Sequence, residues 1–186
     1  MQSYVIFFDW RKIFSCKKIF VTLHPENLCK PMEPHPDNHT LELALLNRAR
    51  HYCAAEEQCE FDVRNKLDAW GVDDEEMADR IVDRLVDEGY LDAVRYATRY
   101  AECKMLHAHW GRDKVAYQLR LKRLPSATVR QALESVDDEA YLQMLADLAA
   151  EKFREYADER KLTRFLLSRG FRYAEINQVL INILPQ

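Results

Sequence analysis

The sequence predicts an all-α fold in which three tandem three-helix repeats form an elongated, curved body behind an irregular N-terminal tail. Hydrophobic residues make up 48% of the chain and charged residues 31%, with only four Gly and six Pro, which is typical of a soluble, helix-rich protein. Helical periodicity runs from Thr40 onward and breaks at a few points, which include all four glycines. One apolar skeleton recurs three times with the same spacing. Repeats of about fifty residues bury little surface alone, so we expect them to stack and expect no sheet.

The first segment, residues 1–40, differs from the rest of the chain. Aromatic and β-branched residues come first, and "HPENLCKPMEPHPDNH" then holds four of the six prolines, which cannot sustain a helix. We interpret the segment as a tail that is either disordered or an artefact of the assigned start, with Met32 as the alternative first residue. Charged residues interrupt its two apolar runs, at 4–8 and 19–23, before a membrane-spanning length or a cleavable signal accumulates.

The recurring skeleton consists of two helices joined by a turn. In each copy, apolar residues four apart mark the first helix, the second residue of the turn is apolar, and apolar residues four apart mark the next helix. The three copies are Val63, Leu67, Gly71-Val72, Met77 and Ile81; Val115, Leu119, Arg123-Leu124, Val129 and Leu133; and Leu162, Leu166, Gly170-Phe171, Ile176 and Leu180.

A longer amphipathic helix is predicted before each copy of the skeleton. These helices are expected at roughly 41–57, 93–108 and 138–158. The predicted repeats therefore span residues 41–92, 93–137 and 138–186.

Charge is distributed unevenly between the first and second repeats. The net charge of −4 argues against a protein that binds nucleic acid with its whole surface, so any basic footprint must be local. Residues 104–130 contain seven Lys and Arg residues and one acid, whereas residues 73–88 contain eight acids and two arginines. A basic second repeat beside an acidic first repeat suits a partner that presents both DNA phosphates and protein charges.

The stretch "HWGRDKVAYQLRLKRL" supplies the candidate binding residues. We predict that its outward basic residues form the main electropositive contact surface, with one tyrosine beside them. The candidates are Arg112, Lys114, Arg120, Arg123 and Tyr117.

Helical geometry decides which side chains of this stretch face outward. At 100° per residue, Lys114 and Arg120 lie roughly 120° on either side of the apolar direction. Lys122 projects near the core, so we expect it to extend along the surface or to cap the helix C-terminus, and we leave it out. Two alternatives stay open: the charged face is only solvated, or Tyr117 packs on a neighbouring helix.

Other candidate sites are weak. His107 and His109 are two residues apart and do not share a helix face, so we expect no metal site. The five cysteines form no C-x-x-C pair, which favours reduced thiols in a cytoplasmic protein.

Trp110 is either a core anchor, which we favour, or a stacking residue. "VDDEE" indicates a helix start, and no P-loop, dinucleotide fingerprint or nucleophile elbow occurs, so we expect neither a cofactor nor an enzyme.

Two stretches resemble the RecX family. "VDEGYLDAVRYATRYAECKMLHAHWGRDKVAYQLRLKRL" is similar to the family's signature, which has a Gly-Tyr-Leu-Asp turn, an aromatic-Ala pair, a Gly after an aromatic residue, and a basic helix. "LLSRGFRYAEINQVL" is similar to the family's last repeat, and the resemblance covers about residues 41–184. Two positions depart from it: Ala93 stands where an acid is usual, and Lys122-Arg123-Leu124 replaces a Lys-Gly-apolar turn.

The resemblance implies a non-enzymatic regulatory protein. Such proteins bind the RecA recombinase filament on single-stranded DNA and typically restrain it, in recombination, DNA repair and the SOS response. We expect a monomer with no membrane association. The alternative is a helical module that binds nucleic acid directly, without the recombinase.

Overall fold

The computed structural model describes residues 38–183, and every regular element in that range is helical. Three tandem repeats of three helices follow one another, which confirms the predicted fold class. The helices are α1 (Asn38–Ala55), α2 (Glu60–Ala69), α3 (Glu75–Asp87), α4 (Ala93–Glu102), α5 (Arg112–Leu121), α6 (Ser126–Glu134), α7 (Asp138–Tyr156), α8 (Glu159–Ser168) and α9 (Tyr173–Ile183). A π-helical segment, Cys103–His107, extends α4. None of the described helices is long and apolar enough to cross a membrane. Residues 1–37 of the predicted tail lie outside the described residues.

Aspartate side chains cap several of these helices at the N-terminus. Asp74, which belongs to the "VDDEE" stretch, accepts hydrogen bonds from the backbone N–H groups of Glu76 and Met77. Asp92 and Asp158 accept equivalent pairs of bonds at the starts of α4 and α8. Because each cap satisfies backbone donors that lack a helical partner, it stabilises its helix by about 1 kcal/mol.

The turn between the second and third helices is the same in all three repeats. In each, the backbone N–H of the apolar turn residue donates to the carbonyl oxygen five residues earlier, as in a Schellman motif. These bonds are Val72 to Leu67 at 3.1 Å, Leu124 to Leu119 at 3.3 Å and Phe171 to Leu166 at 3.2 Å. The structure therefore repeats the geometry that the sequence spacing indicated.

The residue before the apolar turn residue adopts a left-handed conformation in every repeat. Its φ is 86° at Gly71 and Gly170 and 60° at Arg123. Glycine adopts this conformation without strain, whereas an L side chain is disfavoured there by roughly 1–2 kcal/mol. Arg123 therefore keeps the turn of its repeat despite lacking the usual glycine.

The buried residues form two separate clusters. One is built entirely from the first repeat, between Leu45 and Leu91. The other joins the second and third repeats. It also includes Cys59, which directly precedes α2, and Phe61, which lies in α2. The second and third repeats therefore share one core, and the first repeat has its own.

Burial confirms the predicted skeleton with two differences. Its apolar positions are buried except Leu124 and Leu133, which are only partly buried. In and just after α6, Ala132 and Val136 take the buried positions instead. Because α6 begins directly after Pro125 and has only nine residues, its buried face is displaced from the register that a shift of 52 residues predicts.

The second and third repeats meet through their backbones. The N–H of Gly111 donates to the carbonyl of Arg169 at 2.9 Å, and the N–H of Asp113 donates to the carbonyl of Gly170 at 3.2 Å. A Cβ atom on Gly111 would lie 2.0 Å from the carbonyl carbon of Gly170, so only glycine fits. The start of α5 is thereby fixed against the turn between α8 and α9.

Candidate interaction surface

The α5 helix borders a cleft of about 690 Å³ between the second and third repeats. Arg112 and Arg120 line it, together with two further arginines, Arg130 and Arg172. The carboxylates of Asp113, Glu134 and Asp138 also line the cleft. The cleft is therefore rich in arginine but contains charges of both signs.

Arg112 is held by groups of the third repeat. Its guanidinium forms an ion pair with Asp138, lies 3.7 Å from a carboxylate oxygen of Glu175, and stacks 4.5 Å from the ring centroid of Tyr141. Its Nε atom is buried and has no hydrogen-bond partner among residues 38–183. The charge of Arg112 is therefore largely shared with two carboxylates and is less available to a partner than the sequence alone indicates.

A hydrogen-bond network surrounds Arg112. The Tyr141 hydroxyl donates to Glu175 at 3.1 Å, and Glu175 also accepts from the backbone N–H of Arg172 at 2.8 Å. Burial, followed by the nearby Glu175 carboxylate, raises the pKa of Tyr141. Arg172 in turn binds Asp113 at 2.8 Å. These contacts fix the wall of the cleft between the second and third repeats.

Arg120 differs from the other arginines of the cleft. Its side chain is exposed, and it forms no ion pair with any residue that the structure describes. Arg130, by comparison, lies 4.0 Å from Glu134. Arg120 is therefore the cleft arginine whose charge is most available to a binding partner, in agreement with its predicted outward direction.

Lys114 and Trp110 form a stacked pair at the start of α5. The Lys114 ammonium lies 4.4 Å from the Trp110 ring centroid, and Lys104 lies 5.3 Å from the same ring. Trp110 is half-buried and packs on the shared core, as we favoured. Lys114 is also half-buried, so it faces solvent less fully than predicted.

Arg123 lies at the junction between the first and second repeats. Its guanidinium carbon is 5.5 Å from the Phe61 ring centroid, and the residue lines a cavity of about 260 Å³ together with Cys59. Arg123 is exposed, so its charge is accessible. It does not line the cleft that contains Arg120.

Lys122 forms an ion pair with the first repeat at this junction. Its ammonium lies 2.6 and 2.7 Å from the two carboxylate oxygens of Asp62 in the first repeat. The same carboxylate accepts from the Cys59 thiol at 3.1 Å and from the Tyr96 hydroxyl at 3.3 Å. Lys122 lies near the core as expected, but it binds the first repeat rather than the carbonyl groups at the end of α5.

Burial around Asp62 affects two neighbouring groups. Burial raises the pKa of the Cys59 thiol to about 11, and the Asp62 carboxylate contributes to the same shift. Burial and then the Asp62 charge also raise the pKa of Tyr96. Both groups therefore stay protonated near neutral pH and act as hydrogen-bond donors to Asp62.

Tyr117 is 57% exposed and lies near Leu121, which is 52% exposed. More than half of the Tyr117 side chain is therefore open to solvent, so any packing on a neighbouring helix is only partial. A large side chain that is open to solvent and follows a basic helix face is available for stacking or for a protein contact.

The candidate residues lie in three different surroundings. Arg112 and Arg120 line the cleft, Lys114 stacks on Trp110, and Arg123 lies at the junction with the first repeat. Sequence reasoning did not identify Arg172, although a basic residue directly after the "SRGF" turn was a usable signal. Among the described residues, no group of His, Cys, Asp and Glu side chains could hold a metal ion.

Comparison with known proteins identifies the family. The family model described as "RecX, third three-helix domain" matches residues 138–180. A regulatory protein RecX from Trichlorobacter lovleyi is 31% identical over 151 residues, covering 77% of this chain and 93% of that protein. One from Clostridium botulinum is 30% identical over 129 residues, covering 65% of this chain. The chain spans 59% of the length of that clostridial relative.

A solved structure supports the same fold. The crystal structure of RecX from Lactobacillus salivarius matches with a TM-score of 0.69 at 21% identity, covering 76% of this chain and 96% of that one. At this level of identity the similarity establishes the fold alone. Together with the identity to the Trichlorobacter protein across most of its length, it shows that the chain belongs to the RecX family.

Proposed function

We propose that this protein is a non-enzymatic regulator that binds the RecA recombinase filament on single-stranded DNA and restrains its activity. The proposed roles are in recombination, DNA repair and the SOS response. Membership of a family whose relatives are named regulatory protein RecX carries the proposal. The charge distribution of the described repeats supports it.

The second repeat is the most cationic of the three repeats. Residues 93–137 contain nine Lys and Arg residues and four Asp and Glu residues, whereas residues 41–92 contain six and fifteen. A filament on single-stranded DNA presents phosphates and protein side chains together. Opposite charges on adjacent repeats allow one repeat to approach phosphates while the other faces cationic protein surface.

The contact surface that we propose has members of unequal weight. The largest contributions to binding come from the three exposed residues Arg120, Arg123 and Tyr117. Lys114 contributes from its position over Trp110. Arg112 is the weakest member, because Asp138 and Glu175 already share its charge.

The test is retention of the protein on recombinase filaments assembled on immobilised single-stranded DNA with nucleotide, with naked DNA in parallel. The Lys114→Glu, Arg120→Glu double variant replaces attraction with repulsion, so retention should fall while the helical content is unchanged. Arg154→Glu, which reverses an exposed arginine of α7, is the control for a charge reversal outside the proposed surface. Wild-type retention of the double variant would show that the basic face is only solvated.

The same experiment distinguishes the alternative function. A module that binds nucleic acid directly would be retained equally well by naked DNA and by filaments. Its log affinity should fall with log salt concentration by about 0.7 for each contacted phosphate on a single strand. Binding that requires both recombinase and nucleotide excludes this alternative.

A further inference from the structure

A second exposed cationic surface lies on the third repeat, away from the residues considered so far. We define the arginine-tyrosine patch as Arg160, Arg164, Leu167 and Tyr173. These residues line, together with Glu159 and Thr163, a shallow depression of about 370 Å³ between α8 and the start of α9. Leu167 is 45% exposed and Tyr173 is 62% exposed. The patch therefore leaves two large side chains, Leu167 and Tyr173, in water beside two positive charges and one negative charge.

The two arginines of the patch are available to a partner. Arg160 and Arg164 are exposed and four residues apart, so they are neighbours on one face of α8. Neither forms an ion pair with any residue between 38 and 181. Protein-binding hot spots are enriched in Tyr and Arg, and here both residue types surround an exposed aliphatic side chain. Since Leu167 offers nothing to a phosphate or a base, we take a protein as the occupant.

The first repeat carries a surface of matching chemistry. Asp79, Asp83 and Asp87 are spaced four apart along α3, opposite its buried face. Asp79 binds Arg64 at 2.5 Å, but Asp83 and Asp87 form no ion pair within the described part of the chain. Asp83 and Asp87 are like charges at a spacing that destabilises a helix, and a cationic partner would relieve what repulsion the neighbouring Arg84 leaves. Val86, 43% exposed, lies beside them.

We propose that the arginine-tyrosine patch of one molecule docks on α3 of a second copy. The Arg160 and Arg164 guanidinium groups have the same four-residue spacing as the Asp83 and Asp87 carboxylates. Each pair lies next to an exposed aliphatic side chain, Leu167 on one surface and Val86 on the other. Charge and apolar area therefore match on both sides of the contact.

The two surfaces do not satisfy each other within one chain. No hydrogen bond or ion pair between described residues joins the first repeat to the third; such contacts join neighbouring repeats only. The contact is therefore intermolecular and uses different surfaces on the two copies. An interface of this kind is not two-fold symmetric; it builds a closed ring if its rotation closes and an open end-to-end row if it does not.

This association goes beyond the proposed regulatory function and does not depend on it. The contact is small and charged, so it is weak in free solution, where the expected monomer predominates at low concentration. Copies aligned along a common support would associate far more strongly, because the effective concentration of each copy near the next is high.

Sedimentation equilibrium of the full chain, without recombinase or DNA, tests the proposal. At low ionic strength, the weight-average mass should rise with concentration from 22.0 kDa to about twice that value or more, and salt should reverse the rise. Two variants are compared: Arg160→Glu with Arg164→Glu, and Asp83→Arg with Asp87→Arg. Each variant alone should stay at the monomer mass, since like charges then face each other.

An equimolar mixture of the two variants is the decisive sample. The reversed patch of one variant attracts the reversed α3 of the other, and their unchanged surfaces also attract, so the rise in mass should return. Arg154→Glu, outside both surfaces, should associate like the wild type. Recovery in the mixture also shows that both variants are folded.

Two results would overturn the proposal. One is a wild-type mass that does not change up to the highest soluble concentration at low salt. The other is association that survives both charge reversals. If the Arg160→Glu, Arg164→Glu variant loses only affinity for single-stranded DNA, the patch is a nucleic-acid contact instead.

Discussion

Gly111 and Gly170 are in direct backbone contact, and this contact joins the second repeat to the third. A Cβ atom on Gly170 would lie 2.4 Å from the Cβ of Lys114, and one on Gly111 would meet the Gly170 carbonyl at 2.0 Å. At the equivalent positions of the junction between the first and second repeats stand Cys59 and Arg123, both of which have side chains. Among the described residues, side chains make the polar contacts at that junction, chiefly those of Asp62 and Lys122.

Replacing Gly170 by alanine should cost more stability than replacing Gly71. Both glycines have a φ of 86°, so backbone strain is the same at the two positions. No atom lies within 4 Å of a Cβ at Gly71, whereas Gly170 is in close contact with Lys114. We expect a loss of about 1–2 kcal/mol at Gly71 and of a further 1–3 kcal/mol at Gly170. Urea unfolding of both variants measures the difference, and equal losses would contradict the close contact.

Leu166 and Leu167 are adjacent, and their substitutions should have very different effects on stability. Leu166 is fully buried in the shared core, whereas Leu167 is 45% exposed. Leu166→Ala should lower the free energy of unfolding by about 2–5 kcal/mol. Leu167→Ala should change it by less than about 0.5 kcal/mol. Thermal unfolding of the pair checks the register of the third repeat, which a neutral Leu166→Ala would reject.

The Asp62–Lys122 ion pair should couple the first repeat to the second. Its two side chains are only 20% and 23% exposed, so removing either partner leaves a poorly solvated charge. Lys122→Met and Asp62→Asn should each destabilise the protein by about 1–3 kcal/mol. In a double-mutant cycle, the combined loss should be smaller than the sum of the single losses. Additive losses would mean that the two residues act independently.

Alkaline pH should destabilise the protein through the buried thiol of Cys59. Burial raises its pKa in the folded state from the ordinary value of 9.0 to about 11. Because the folded pKa is the higher one, the thiol's contribution to stability is complete below pH 9 and is lost as the pH rises through 11. The free energy of unfolding, measured in urea at several pH values, should therefore fall in this window. The fall should be smaller in Cys59→Ala; an identical slope would exclude Cys59 as the cause.

The sequence could predict the repeat because local spacing determines it. Apolar residues four apart, followed by a turn of fixed length, place Leu67, Leu119 and Leu166 in the core whatever the partner helix is. Leu133 was predicted to be buried but is only partly buried, because the short α6 helix begins directly after a proline and its buried face is displaced. Local spacing contains no information about such a rotation.

The environment of the candidate site could be predicted only in part. Helix geometry correctly gave Arg120 an outward direction and placed Lys122 near the core. It could not identify Asp62 as the partner of Lys122, since the two residues are 60 positions apart. Asp138 and Glu175 reduce the available charge of Arg112 in the same way. Such pairings depend on how the repeats stack, which periodicity within one repeat does not determine.

The two separate cores affect how the chain folds during its synthesis. The cluster between Leu45 and Leu91 needs no side chain from later in the sequence, so it can start to assemble as soon as residue 91 leaves the ribosome. The second repeat must wait, because its core includes Leu162, Phe171 and Ile176. At roughly 5–20 residues per second, translation of that remaining stretch takes several seconds. During this interval α4 and α5 have apolar faces without their final partners, and a chaperone would find its binding site there.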